Sequence, residues 1–173
     1  MHDPLRHAPA LAGGIIIYRL NPKTLRAEIL CGEKKTGKWK GRLTICFAKR
    51  AERGHNPLAA AMNVVKKKLN GDLDLGPPKF LNTYGTLVFA SKLELNDKFD
   101  IKGIHRTSEV METLHFQTFV FVCKCKSGEP KDSSEVGAPR FMDIREVARE
   151  NRKLALDQKQ MLFHLSVFLK KAT

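Results

Sequence analysis

Residues 47 to 71 read FAKRAERGHNPLAAAMNVVKKKLNG, and this stretch decides the fold of the chain. Asn56 is a suitable N-cap and Pro57 suits the first helical position, so a helix is expected to begin here. The Asn-Gly pair at 70–71 is expected to end it. The pattern predicts a strand end, a basic loop and a helix over 57–69. Five apolar residues of this helix share one face: Leu58, Ala61, Met62, Val65 and Leu69.

Apolar runs and turn signals predict the remaining elements. Ala12-Gly13-Gly14 predicts a turn, and strands are expected at 15–20, 26–31, 43–47, 80–92, 115–125 and 141–142. A capping box at 143–146 predicts another helix, and a last amphipathic helix is expected at 157–171. This order predicts a mixed β-sheet covered by helices on both faces, an α/β/α sandwich. One domain is expected over 13–173, preceded by an amino-terminal arm at 1–12.

Positive charge is concentrated in one part of the chain. The net charge is +13, and Glu52 is the only acidic residue between positions 34 and 71. The basic residues of this segment are Lys34, Lys35, Lys38, Lys40, Arg42, Lys49, Arg50, Arg53, Lys66, Lys67 and Lys68. Solvated surfaces usually mix charges of both signs. This asymmetry therefore favours a surface that faces phosphate groups, and the net charge suits a nucleic-acid partner or an anionic surface.

The cysteines and histidines do not have the spacing of metal ligands. Cys31, Cys46, Cys123 and Cys125 form no CxxC pair, and no histidine pair lies near them. We expect free, buried or half-buried thiols, with no metal and no cofactor. No run of about 20 apolar residues is present, so no membrane partner is expected.

The layout of residues 47–71 resembles the Nudix box, the loop-helix-loop of Nudix pyrophosphohydrolases. The family pattern is G-x5-E-x7-R-E-U-x-E-E-x-G-U, where U is aliphatic. Laid on this pattern without gaps, the first Gly falls on Lys49 and the first Glu on His55. The R-E-U-x-E-E core falls on residues 63–68, which read NVVKKK. The resemblance implies a Nudix-like sandwich whose metal-binding glutamates have been lost.

The loss of these glutamates changes the expected chemistry. In the family they hold divalent cations that polarise a pyrophosphate, whereas this chain has Val64, Lys67 and Lys68 in their places. Mg²⁺ needs oxygen ligands, while lysines attract phosphate directly. We therefore expect no catalytic residues and a phosphate-binding set of Lys38, Lys40, Lys49, Arg50, Arg53, Lys66, Lys67 and Lys68. The competing interpretation is an ordinary amphipathic helix with a solvated lysine face.

The resemblance implies a catalytically inactive Nudix-like protein that binds RNA in a ribonucleoprotein. Degenerate members of the family in the mitochondrial large ribosomal subunit and in the nuclear pre-mRNA cleavage factor provide the precedents. The ribosomal setting comes first, with rRNA and other proteins of the assembly as partners. The ribosomal setting implies a mitochondrial location. If the protein belongs to another assembly, a nuclear or cytoplasmic location is expected.

Two other functions stay open from the sequence. One is an active Nudix hydrolase of nucleotides or RNA 5′ ends that takes its metal ligands from other acids. The candidates are Glu28, Glu33, Glu52, Asp72, Asp74, Glu94, Glu109 and Glu112. The other is a basic protein-interaction subunit of an RNA-processing complex, whose positive face meets an acidic partner.

Overall fold

A computed structural model describes residues 10–37, 39–51, 56–69, 72–91, 111–155 and 158–172. Its strands are β1 (Ala10–Leu20), β2 (Ala27–Lys34), β3 (Leu43–Thr44), β4 (Phe47–Arg50), β5 (Asp74–Leu75), β6 (Lys79–Ser91), β7 (Met111–Ser127) and β8 (Val136–Asp143). Its helices are α1 (Pro57–Lys68), α2 (Ile144–Arg149) and α3 (Gln158–Ala172), with a short 3₁₀ turn at Asn151–Lys153.

Strand β1 lies at the centre of the mixed sheet. It pairs in parallel with β7 from Ala10 to Tyr18. On its other side it pairs antiparallel with β4 in its first half and with β2 in its second half. Ile15, Ile16 and Ile17 are all fully buried because helices cover both faces of the sheet.

Two apolar clusters fill the space between the sheet and the helices. On one face, α1 packs against inward side chains of β1, β2 and β7, such as Ile15, Leu30 and Cys123. On the other face, α3 packs over residues that include Ile16 and Val120. The predicted α/β/α sandwich is confirmed.

The first helix of the sandwich agrees with its sequence signals. The Asn56 side chain accepts a hydrogen bond from the Ala59 amide at 2.7 Å, as the predicted N-cap should. The apolar face is wider than expected, because Val64 is fully buried in addition to Val65. Its other predicted members are buried or partly buried. The final helix is likewise confirmed, with Met161, Leu162 and Leu165 buried.

The predicted turn at residues 12–14 is wrong. Ala12, Gly13 and Gly14 belong to β1, which already begins at Ala10. Residues 10–12 of the predicted arm are therefore sheet, and residues 1–9 lie outside the described residues. Gly13 is needed for close approach, since a Cβ there would collide with the Pro57 carbonyl oxygen and lie 2.7 Å from the Ala61 nitrogen.

Two strands are longer than their local patterns indicated. The predicted strand at 141–142 extends over Val136–Asp143, because β8 pairs with β2 along most of its length. The strand predicted at 115–125 extends over Met111–Ser127, where β1, β5 and β6 all pair with it. Polar and glycine-containing ends join a ladder when a neighbouring strand supplies partners.

Gly13→Ala should lower the free energy of unfolding by about 3 kcal/mol, because the added methyl group forces α1 away from β1. Urea unfolding followed by circular dichroism measures the loss. Gly76→Ala is the matched control, since its Cβ would lie 3.5 Å from the Lys124 carbonyl oxygen, an ordinary contact. Equal stability of the two variants would show that α1 does not approach β1 as closely as described.

Candidate functional site

The last turn of α1 and strand β4 carry most of the predicted phosphate-binding residues. Lys66 and Lys67 are exposed on α1, and both complement the negative end of the helix dipole. Strand β4, which packs against α1, carries Lys49 and Arg50, and Lys40 is exposed in the loop between β2 and β3. The structure thus places these cations on two neighbouring elements. Lys38 and Arg53 lie outside the described residues.

Lys68 already has two partners within the protein. Its ammonium donates a hydrogen bond to the Ala48 carbonyl oxygen at 3.0 Å and lies 2.7 Å from a carboxylate oxygen of Glu135. Only 21% of the Lys68 side chain is exposed. The side chain therefore turns under the helix towards β4 instead of pointing to solvent, and a partner distant in sequence already neutralises its charge.

The three positions that fall on glutamates of the R-E-U-x-E-E core have three different environments. Val64 is fully buried in the apolar cluster beneath α1. Lys67 is exposed, and Lys68 joins α1 to β4 and to Glu135. An ammonium group here supplies one positive charge held by protein oxygens. Unlike a bound metal, it offers no open coordination position for water or phosphate.

A cavity of about 330 Å³ lies beside Lys68. The loop after β2, the short strands β3 and β4, and the start of α3 all contribute to its wall. Its polar and aromatic lining includes Lys34, Trp39, Thr44, Lys68, Glu135 and Gln158. Among the described residues that line it, Glu135 carries the only carboxylate, and that group is paired with Lys68.

Gln158 shapes one wall of this cavity, a role that no local sequence pattern indicates. Its Oε1 accepts hydrogen bonds from the amides of Ile45 at 2.6 Å and Cys46 at 3.2 Å. Its Nε2 donates to the Thr44 hydroxyl at 2.8 Å. The strand predicted at 43–47 is therefore interrupted. A buried side chain from α3 replaces the strand partner of these amides, as buried backbone groups require.

The cysteine thiols are suited to packing. All four are free and buried, as predicted. Burial raises the pKa of Cys46, which lines the cavity, to about 12, and burial likewise raises the pKa of Cys31 to about 12. The thiolate is the nucleophilic and metal-binding form. Cys46 is therefore protonated near neutral pH and offers neither function.

The acids considered as substitute metal ligands do not converge in the described structure. Glu28 bonds to Asn21 at 2.7 Å and to Arg19 at 2.8 Å, and these bonds, led by that from Asn21, lower its pKa. Three further candidates are exposed: Glu33, Asp72 and Asp74. The remaining ones lie outside the described residues: Glu52, Glu94, Glu109 and the side chain of Glu112. Within the described ranges, no three His, Cys, Asp or Glu side chains are grouped to hold a metal ion.

Solved structures show which known fold the chain shares. The NUDIX domain of Shewanella oneidensis NrtR, solved with ADP ribose, matches with a TM-score of 0.65 at 10% identity, over 97% of this chain and 94% of that one. The Nudix hydrolase RenU of M. smegmatis matches with a TM-score of 0.62 at 11% identity, over 95% and 88%. An Ap4A hydrolase of C. elegans matches with a TM-score of 0.55 at 12% identity, over 94% and 98%.

These likenesses establish a Nudix-like fold and nothing finer, because the identities are so low. No protein-family model matches the sequence, and no curated protein matches it. No helix in the described part of the chain is long and apolar enough to cross a membrane. The Nudix-like fold implied by the box layout is confirmed, and the inactive and RNA-binding roles stay predictions.

Lys68→Met should lower the free energy of unfolding by about 1–2 kcal/mol, because it removes a charge-assisted hydrogen bond to Ala48 and leaves Glu135 without its cation. The methionine keeps most of the apolar stem, so the loss reports on the ammonium. Lys67→Met is the matched control, because that side chain is exposed and its removal should change stability by less than about 0.5 kcal/mol. Urea unfolding gives the midpoints of the Lys68→Met and Lys67→Met variants, and equal midpoints would contradict a structural role for Lys68.

Proposed function

We propose that this protein is a non-hydrolysing Nudix-fold protein that binds the phosphate backbone of RNA within a ribonucleoprotein. The observation that carries the proposal is the Lys68 ammonium between the Ala48 carbonyl and the Glu135 carboxylate. A covalently attached cation stands where the box resemblance expects a glutamate that binds metal. The box helix keeps its structural role without the groups that the reaction would use.

Loss of hydrolysis follows from the chemistry of the replacements. Pyrophosphate cleavage by metal ions depends on charge neutralisation and on activation of a bound water. Val64 has no ligand atom and is fully buried, and Lys67 would repel a divalent cation. Lys68 is held by protein oxygens, and an ammonium does not activate water as a metal ion does.

RNA binding is supported by the exposed cations beside this site. Lys66 and Lys67 are exposed on α1, and Arg50 is exposed on the neighbouring strand β4. Exposed cations on neighbouring elements of a protein with a net charge of +13 are typical of phosphate-backbone recognition. Lys68 is left out of this surface because Glu135 neutralises it. The surface therefore consists of fewer lysines than the sequence indicated.

The ribonucleoprotein that we place first is the mitochondrial large ribosomal subunit, with rRNA and neighbouring ribosomal proteins as partners. A nuclear or cytoplasmic RNA-processing complex is the second setting. Affinity purification of the native protein, followed by sequencing of the bound RNA, distinguishes them. Release of the associated proteins by ribonuclease would support an RNA-based assembly over a purely protein-based one.

An active Nudix hydrolase is the alternative, and the fold favours it because similar structures include hydrolases. The cavity beside Lys68 is also within the size range of small-ligand sites, which begins at about 300 Å³. This alternative requires a metal site built from acids other than those of the box. It makes a separate prediction about turnover.

The purified protein should not hydrolyse nucleoside diphosphate derivatives or capped RNA with Mg²⁺ or Mn²⁺. Chromatographic detection of released phosphate or nucleotide tests this expectation. Glu135→Gln serves as the control for contaminating activity, because Glu135 carries the only carboxylate among the described residues that line the cavity. Metal-dependent turnover by the wild-type protein that this substitution abolishes would establish the hydrolase.

The Lys66→Gln/Lys67→Gln variant should bind single-stranded RNA about tenfold more weakly at low salt. It should also flatten the slope of log affinity against log salt by about 1.4, since each phosphate contact contributes about 0.7. Sequence preference should change little, because phosphate contacts position a protein without reading bases. Filter binding at several salt concentrations provides both quantities.

The matched control is Lys23→Gln/Lys126→Gln, which removes the same charge from two exposed lysines that belong to neither α1 nor β4. It should retain nearly all of the affinity and slope. If both variants weaken binding equally, net charge rather than this surface attracts the RNA. If neither does, the lysines are only a solvated helix face and the RNA-binding proposal fails at this site.

A further inference from the structure

Strand β6 has an outer edge to which the described structure assigns no partner strand. Twelve of its thirteen residues pair antiparallel with β7, and every pairing of β6 in the described structure is with that strand. An edge of this kind presents a row of backbone N–H and C=O groups that can accept another strand. A long edge of this kind is a place where an extended segment can add to a sheet.

Apolar side chains are exposed on both sides of this edge. On the α3 side, Phe163 is 65% exposed and Val167 is 39% exposed, one helical turn apart. On the α1 side, Phe80 is 54% exposed, with its ring 5.9 Å from that of Phe121. Exposed large apolar groups that cluster in one place are typical of interaction sites, whereas scattered ones are not.

A cleft of about 320 Å³ lies between β6 and α3. Its apolar lining comes from Leu81, Phe163, Val167 and Phe168. The lining is aliphatic as well as aromatic, which suits apolar side chains of a protein segment better than stacked bases. A single anchoring side chain would fill much of a cleft of this size.

Hydrogen bonds hold the two walls of the cleft together. Asn82 Oδ1 accepts from the Thr83 amide at 2.8 Å, which leaves Asn82 Nδ2 to donate to His164 Nδ1 at 3.2 Å. Tyr84 Oη lies 2.8 Å from the same nitrogen and therefore also donates to it. His164 Nδ1 is thus an acceptor, and α3 is fixed against β6 before any partner binds. A preformed cleft reduces the entropy lost on binding.

The charge of this surface restricts the partner. Lys171 lines the cleft, Lys79 begins β6, and neither β6 nor α3 contains an acidic residue. A second copy of the chain placed on this edge would bring like charges together. An acidic segment would be attracted by them.

We propose that the edge of β6 and the cleft beneath α3 dock an acidic, apolar-rich segment of a partner protein, which adds to the sheet as an extended strand. This goes beyond the proposed RNA-binding function, because α3 covers the face of the sheet opposite to the one that α1 covers. The protein then joins RNA on the α1 face to a protein on the β6 edge.

The test uses a phage-displayed random peptide library panned on the full, ribonuclease-treated chain. Enriched peptides should alternate apolar and polar positions and contain Asp or Glu. Labelled synthetic peptides are then titrated by fluorescence anisotropy. Phe163→Ser/Val167→Ser should weaken their binding about tenfold, because the exposed anchors of an interface contribute most of its affinity. Both side chains are exposed, so the variant should fold.

The control is Leu20→Ser/Leu25→Asn, which removes two exposed apolar residues at the distant β1–β2 turn and should leave peptide affinity unchanged. N-methylation of successive peptide amides should abolish binding at alternate positions, as strand addition requires. Uniform tolerance of N-methylation would overturn the strand model. Enrichment of basic peptides would contradict the proposal of an acidic partner segment. Concentration-dependent self-association that Phe163→Ser abolishes would also contradict it, because the partner would then be a second copy of the chain.

RNA affinity separates this proposal from the preceding one. The Phe163→Ser/Val167→Ser variant should bind RNA as the wild type does, and the Lys66→Gln/Lys67→Gln variant should bind the peptides normally. If the first variant loses RNA affinity, the β6 edge is a nucleic-acid surface and the docking proposal fails. If no peptide is enriched, the docking proposal also fails, and the RNA-binding surface on α1 is unaffected.

Discussion

The close contact between the first helix and the central strand is the constraint on which the rest of the structure depends. Gly13 has no side chain, so the backbone of α1 at Pro57 can lie directly on β1. This contact sets the depth of the helix over the sheet. With the helix at that depth, Val64 is fully buried and Lys68 reaches the carbonyl oxygen of Ala48 on β4. A helix lying higher on the sheet would leave Lys68 in solvent.

The Lys68 contact shows how a cation that belongs to the chain itself can hold the end of a helix against the sheet. A divalent cation bound by carboxylates is exchangeable and keeps coordination positions for substrate. A lysine ammonium is attached to the chain and has three hydrogen-bond donors. The carbonyl oxygen of Ala48 and a carboxylate oxygen of Glu135 already lie within contact distance of this group. The interaction holds the end of α1 against β4 and against Glu135, the residue before β8, without any requirement for metal. The exposed lysines beside it are then available for other anions.

The sandwich separates two kinds of surface. The α1 face carries exposed cations of one segment of the sequence. The β6 edge carries exposed apolar rings, a cleft and backbone groups for which the described part of the chain provides no partner strand. Electrostatic attraction to phosphate is long-ranged and insensitive to sequence. Docking of a strand into an apolar cleft is short-ranged and depends on side-chain fit. A protein that bridges RNA and a protein partner would use both, on surfaces that do not interfere with each other.

The sequence by itself determined the elements that depend on local spacing. Asn56, Pro57 and the apolar positions of α1 specify a helix and its buried face, because helical periodicity and capping act over a few residues. The sequence also shows directly that the last turn of α1 is positively charged. Only the tertiary structure decided what Lys68, Gly13 and Gln158 do. Lys68 meets Glu135, and Gln158 bonds to amides 112 and 113 residues earlier in the chain. Side-chain spacing along a sequence specifies which face a residue occupies, but not which distant group the folded chain brings against it.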